Sequence, residues 1–222
     1  MCFSATASFA ASAAMSVVGI ASIRSVKRRE ELPLACIPFL FAIQQFLEGV
    51  LWLTLDQPLA SCIATKGFLS FAYVVWPLLM PIAAYLIEPS LRQKARMFPV
   101  MVLGWVVAGI GLASLIWTDI RVVVSGHSLA YTLPMLYWLY IPLYVLVVCV
   151  SSLFSSYRWV TAFGIGLFLS LVMALTISFA TSSSVWCFFA AILSGFIFLH
   201  FQQGRPLYVK ATSKLPKSKN RA

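Results

Sequence analysis

LACIPFLFAIQQFLEGVLWLTL, residues 34–55, is a run of 22 residues whose single charged side chain is Glu48. About 20 mostly apolar residues are enough to cross the hydrocarbon core of a bilayer, so the run reads as a membrane span. Working outward, six more stretches qualify: Phe3–Ile23, Phe68–Ile87, Phe98–Trp117, Leu136–Phe154, Trp159–Phe179 and Val185–Gln202. The whole chain agrees with this reading. Of its 222 residues 61% are hydrophobic and 10% charged, against about 25% charged in a soluble domain. Too few polar side chains exist to cover a surface that faces water. An aromatic content of 14% excludes disorder. The sequence therefore predicts an all-α, polytopic bundle of seven transmembrane helices over residues 1–202, followed by a basic tail over 203–222.

Charge sets the expected orientation. With the N-terminus outside, the inner segments hold Arg24, Lys27, Arg28 and Arg29, then Arg92, Lys94 and Arg96, then Arg158, and finally the tail. That arrangement places 14 of the 16 basic residues inside and leaves Lys66 and Arg121 outside. A bias of this size predicts N-terminus out and C-terminus in, which requires an odd number of spans. Six basic residues and no acid occur in the tail. It is expected to be disordered and to lie near anionic lipid headgroups, each cation contributing about 1 kcal/mol. The net charge of +10 is thus spread over loops, and nucleic-acid binding, which gathers basic residues on one domain, is excluded. The first stretch is rich in Ala and Ser, as suits close packing against other helices. It does not read as a signal peptide, because the basic cluster follows it.

Polar residues inside a membrane need a reason. Gln44, Gln45 and Glu48 project from one face of the second span, being three and four residues apart. Glu48 lies seven residues before Leu55, roughly 10 Å inside the outer boundary. Two readings stand: a neutral carboxyl bridging helices with the Gln amides, or a ligand, proton or metal site. Tyr73, Trp76-Pro77 and Pro81 mark the third span, where prolines kink a helix and release carbonyls. With Trp52 and Trp186 they complete a candidate ligand-binding set of Gln44, Gln45, Glu48, Trp52, Tyr73, Trp76 and Trp186. Glu88, before Pro89, is expected to meet Arg92 or a neighbour.

The segment from Val122 to Thr132 reads as a short hairpin over the outer mouth, with a Ser-Gly turn between β-branched flanks. This brings Cys2, Glu48, His127 and Cys187 to the same outer third. Thiolate, carboxylate and imidazole together suit a zinc or copper ion, although the spacing is long-range. If Met1 is removed, the N-terminal Cys2 offers an amine and a thiol. Cys36 and Cys149 read as small hydrophobes; Cys2, Cys62 and Cys187 lie where a disulfide survives. His200 falls near the opposite surface from Cys187 and reads as an anchor at the inner interface.

The opening MCFSATASF, residues 1–9, resembles the start of an uncharacterised bacterial family of seven-helix membrane proteins. The likeness continues through Gln44-Gln45, Glu48-Gly49 and Trp52, Trp76-Pro77, Gly126-His127, Ser184 to Phe189, and His200-Phe201. It covers nearly everything before the tail. The resemblance implies a bacterial cytoplasmic (inner) membrane location and no assigned activity.

Several seven-helix functions are excluded. A retinal protein needs a Lys in its last helix, and every Lys is expected in a loop or the tail. Membrane zinc hydrolases need several helix-borne histidines, and the chain has two histidines in all. Nucleotide-binding fingerprints are absent. Three functions stay open: binding a small ligand or metal ion around Glu48, catalysis by a Cys2 or Cys187 thiolate with Glu48 as acid or base, and transport of a small solute.

Overall fold

The computed structural model describes residues 4–125, 128–131, 136–177 and 181–203. Among the described residues the chain forms seven helices and one hairpin. The helices are α1 (Ala5–Arg24), α2 (Leu32–Leu53), α3 (Pro58–Ile87), α4 (Leu91–Trp117), α5 (Tyr137–Leu153), α6 (Arg158–Ile177) and α7 (Ser182–Gln203). All except α5 belong to segments long and apolar enough to cross a membrane. The hairpin pairs β1 (Val122–Ser125) with β2 (Ser128–Tyr131), antiparallel, with Ser125 opposite Ser128. The expected all-α bundle and the expected hairpin are both present. The basic tail from Gly204 onward lies outside the described residues.

Two helices begin earlier than hydropathy alone indicates. Pro58, at the first helical position, opens α3, where a missing N–H costs nothing. Ser90 caps α4 by accepting from the Gln93 backbone N–H at 3.4 Å. Apolar windows mark only the part of a helix in hydrocarbon, whereas hydrogen bonding carries the helix beyond it. Lys66 accordingly stands on α3, exposed, and not in a loop as expected. The last helix still carries no Lys, so the exclusion of a retinal protein is unchanged.

Small residues bring α1 against α2. Ser8, Ser12, Gly19 and Ser22 form the buried stripe of α1, and a Cβ on Gly19 would stand 2.6 Å from the Phe39 backbone nitrogen. Just past the C-terminal end of α3, Glu88 is buried and does not pair with Arg92. Its carboxylate accepts from the Ser156 backbone N–H at 2.7 Å and the Ser156 hydroxyl at 2.5 Å. With the Ser90 backbone N–H donating as well at 3.1 Å, it ties the end of α3 to the start of α6, the demand of a buried acceptor being met by three donors. His200, also buried, packs edge-on against Tyr157 with ring centroids 4.7 Å apart.

The prolines of α3 determine how α4 and α5 dock. Pro77 has no N–H to offer the Tyr73 carbonyl, and Pro81 has none for the Pro77 carbonyl. A π-turn over Phe71–Val75 precedes Pro77. The Tyr73 carbonyl accepts instead from the Tyr140 hydroxyl of α5 at 3.0 Å. Gly111 and Gly104 of α4, two turns apart, lie against the Tyr73 and Pro77 carbonyls respectively, and a Cβ at either position would collide with that oxygen. Gly109 faces open space. Gly111→Ala is therefore expected to destabilise the fold by about 1–3 kcal/mol. Gly109→Ala should leave it unchanged or slightly more stable. Thermal unfolding of the two variants in the same detergent makes the comparison.

Candidate functional site

Helical spacing turns Gln44, Gln45 and Glu48 into the bundle, and all three are fully buried. Their burial removes water as a partner, so each polar atom must be met by protein or by something bound. Gln44 bridges two other helices. Its Oε1 accepts from Trp76 Nε1 at 2.8 Å, and its Nε2 donates to Cys187 Sγ at 3.4 Å. The Trp76 ring is fixed by stacking on Phe41, centroids 3.9 Å apart.

Glu48 gathers donors from three elements. Gln45 Nε2, one turn earlier on α2, donates to Oε2 at 3.3 Å. Ser184, in the first turn of α7, donates to Oε1 at 2.5 Å, and the Tyr131 hydroxyl of β2 donates to the same oxygen at 3.4 Å. Alternation along β2 explains the reach of Tyr131. Leu129 and Tyr131 share the face turned to the bundle, while β1 stays largely exposed. Stacking of the Tyr131 ring on Phe68 at 4.9 Å holds it in place. The hairpin is thus a lid that hydrogen-bonds the carboxyl beneath it.

Among the described residues some side-chain polar atoms are buried without a hydrogen-bond partner. They include Gln45 Oε1, Trp52 Nε1, Ser8 Oγ on α1 and Thr65 Oγ1 on α3. Each such atom costs about 1–3 kcal/mol if nothing meets it.

A second feature adjoins the cluster. Tyr73, Tyr140, Tyr144, Leu171, Ser182, Trp186 and Cys187 are among the residues lining a half-open cleft of about 70 Å³ between α3, α5, α6 and α7. The residues expected to form one ligand site are therefore divided. Gln45 and Glu48 belong to the polar cluster, with Trp52 on the same helix; Tyr73 and Trp186 line the cleft; Gln44 and Trp76 stand between the two. Cys187 reaches both, lining the cleft while accepting from Gln44.

Of the proposed metal ligands, Cys2 and His127 lie outside the described residues. Glu48 and Cys187 are near neighbours, but no group of three His, Cys, Asp or Glu gathers among the described residues. The described cysteines, Cys36, Cys62, Cys149 and Cys187, are all free thiols.

Sequence reasoning missed Ser184, Tyr131, Tyr140 and Tyr144. Inward alternation of the hairpin pointed to Tyr131. A Ser in the first turn of the last span was a weaker sign of Ser184, and nothing local singled out the tyrosines of α5.

Replacement of Trp76 by Phe keeps the stack on Phe41 but leaves Gln44 Oε1 buried and unmet. A loss of about 1–3 kcal/mol is expected. Adding Gln44→Leu should recover part of it, since both partners are then apolar. A double-mutant cycle read by thermal unfolding gives the result.

No curated protein and no solved structure matches the chain. The profile described as "Family of unknown function (DUF6629)" matches residues 1–213, nearly the whole of the sequence. The chain therefore belongs to the DUF6629 family, an uncharacterised family, in keeping with the resemblance carried by its opening motif.

Proposed function

We propose that the protein is a seven-span membrane protein, N-terminus out and C-terminus in, that binds a small polar ligand in an outward-facing site around Glu48. Buried polar atoms with no partner carry this reading. Gln45 Oε1 and Trp52 Nε1, an acceptor and a donor, sit on the same helix as a carboxyl approached by three elements. A ligand with both a donor and an acceptor meets both and removes the cost of leaving them bare. The lid formed by β2 supplies the boundary such a site needs on the water side.

Binding ranks above catalysis because, among the described residues, the Cys187 thiol has the Gln44 amide as its hydrogen-bond partner. An amide does not take a proton from a thiol, as an activated nucleophile requires. Transport ranks third, since no pair of matching repeats is visible in the sequence. The orientation rests on the distribution of Lys and Arg. The bacterial inner-membrane location rests on resemblance to the family. The tail, with its excess of cations, is assigned to anionic headgroups.

Native mass spectrometry of the protein from mild detergent tests the site. The wild-type chain is expected to carry a small-molecule adduct that Glu48→Gln loses, while thermal stability falls by under about 1 kcal/mol. An adduct retained in the variant, or absent from both proteins, overturns the reading. Zinc or copper in stoichiometric amount, lost on Cys187→Ser or Cys2→Ser, would instead identify the ligand as a metal held by Cys2, Glu48, His127 and Cys187. Orientation has its own readout. A phosphatase fused after the tail should be inactive and a fluorescent protein at the same point bright; the opposite pattern reverses the topology.

A further inference from the structure

The cleft between α3, α5, α6 and α7 is a feature that the Glu48 site does not explain. Its residues are arranged by depth. Ser182 and Ser183, which open α7, and Tyr140, in the first turn of α5, stand at its outer end. Tyr144, Val145, Leu171 and Trp186 lie one turn or more further in. Past Tyr144 and Trp186, which meet edge to face with centroids 5.7 Å apart, lies a separate, smaller cavity of about 20 Å³ lined by Met80, Val148 and Ala190, which shares Tyr144, Trp186 and Cys187 with the cleft. From Ser182 to Ala190 the cleft and this cavity together extend roughly 12 Å along the axis of α7. That stretch begins polar and ends apolar.

The cleft also opens sideways. Leu175, on its rim, is 40% exposed, and the neighbouring Val172 and Met173 of α6 are exposed as well. These residues belong to a helix long and apolar enough to cross the membrane, so what lies outside the opening is hydrocarbon. Water is a poor occupant, because it needs two to four polar partners and the deep part of the cleft is aromatic and aliphatic. Two π-turns border this region, Phe71–Val75 with Tyr73 and Leu146–Val150 just after Val145. Such turns widen a helix and occur often at functional sites.

We infer that the cleft is a binding site for one hydrocarbon chain of a membrane amphiphile. The chain enters sideways between α5 and α6 and runs inward past Tyr144 and Trp186. The polar group of the amphiphile stays at Ser182 and Ser183. This occupant is separate from the polar ligand of the Glu48 site, and the inference does not depend on that ligand.

The test uses the full chain reconstituted in phosphatidylglycerol vesicles that include a phosphatidylglycerol with a photoreactive diazirine in its acyl chain. After photolysis, mass spectrometry maps the labelled residues. Peptides holding Tyr140, Tyr144, Leu171 and Trp186 are expected to carry several-fold more label than the peptide of α4 with Trp105 and Val106, which are exposed on the lipid side. Leu175→Trp, at the exposed mouth, should lower cleft labelling to the level of the α4 peptide without affecting the fold. Filling the interior with Ala72→Phe should do the same if that variant folds. Equal labelling of cleft and α4 peptides in the wild-type protein overturns the inference. So does cleft labelling that Leu175→Trp leaves unchanged.

Discussion

A carboxyl group placed within an apolar helix must find donors inside the protein, because lipid supplies none. In this molecule that requirement falls on Glu48, and it draws distant parts of the chain together. The donors come from α2 itself, from the first turn of α7 and from a hairpin inserted between α4 and α5. None of the three is local except Gln45. Closing those contacts fixes how the end of the chain meets its beginning and which face of the hairpin turns down. The same demand recurs at the opposite end of the bundle, where Glu88 is met by Ser156. Two buried carboxylates thus fasten α3 to α6 at one surface and α2 to α7 at the other.

Proline supplies a second kind of constraint. An α-helix normally satisfies its own carbonyls, which leaves helix packing in a membrane to shape and to small residues. Pro77 and Pro81 alter that, since they give α3 two carbonyls that lack the usual donor four residues on. One is met by a tyrosine hydroxyl of α5, and both are approached by glycines of α4. Cα–H contacts to carbonyl oxygens, each worth about 0.5–1 kcal/mol, fit this close approach. Gly104 stands against one freed carbonyl and Gly111 against the other, and these two close approaches register α4 on α3.

Much of this was legible in the sequence, and the rest was illegible for identifiable reasons. Helix class follows from hydropathy, as do six helices long and apolar enough to cross a membrane, because the bilayer imposes one length on every crossing. The α5 helix, expected as a further span, falls short of that length. The face carrying Gln44, Gln45 and Glu48 follows from a period of 3.6 residues, and the hairpin from its β-branched flanks around a turn. Helix ends did not follow. Lys66, Arg92, Lys94 and Arg96 stand on helices because hydrogen bonding extends past the apolar window. Partner choice did not follow either. Ser184 lies 136 residues from Glu48, and no local pattern encodes that distance. The π-turns were invisible as well, although a proline soon after one and shortly before the other is the trace they leave.

The division of the expected site into two regions has a physical cause in α7. Successive residues of a helix point in different directions, about 100° apart. Ser184 therefore turns toward Glu48 while Ser182, Ser183 and Trp186 turn toward the cleft. Cys187 falls between these directions and touches both. Its sulfur accepts from Gln44, whose other end holds Trp76, and Trp76 in turn lines the smaller cavity beside the cleft. A displacement of Cys187 by a molecule in the cleft consequently reaches Gln44, on the helix that carries Glu48, through their shared hydrogen bond. Any contents of the two regions are thus linked through three hydrogen-bonded side chains, and a reading of either region that leaves out Cys187 and Gln44 omits the structure that separates them.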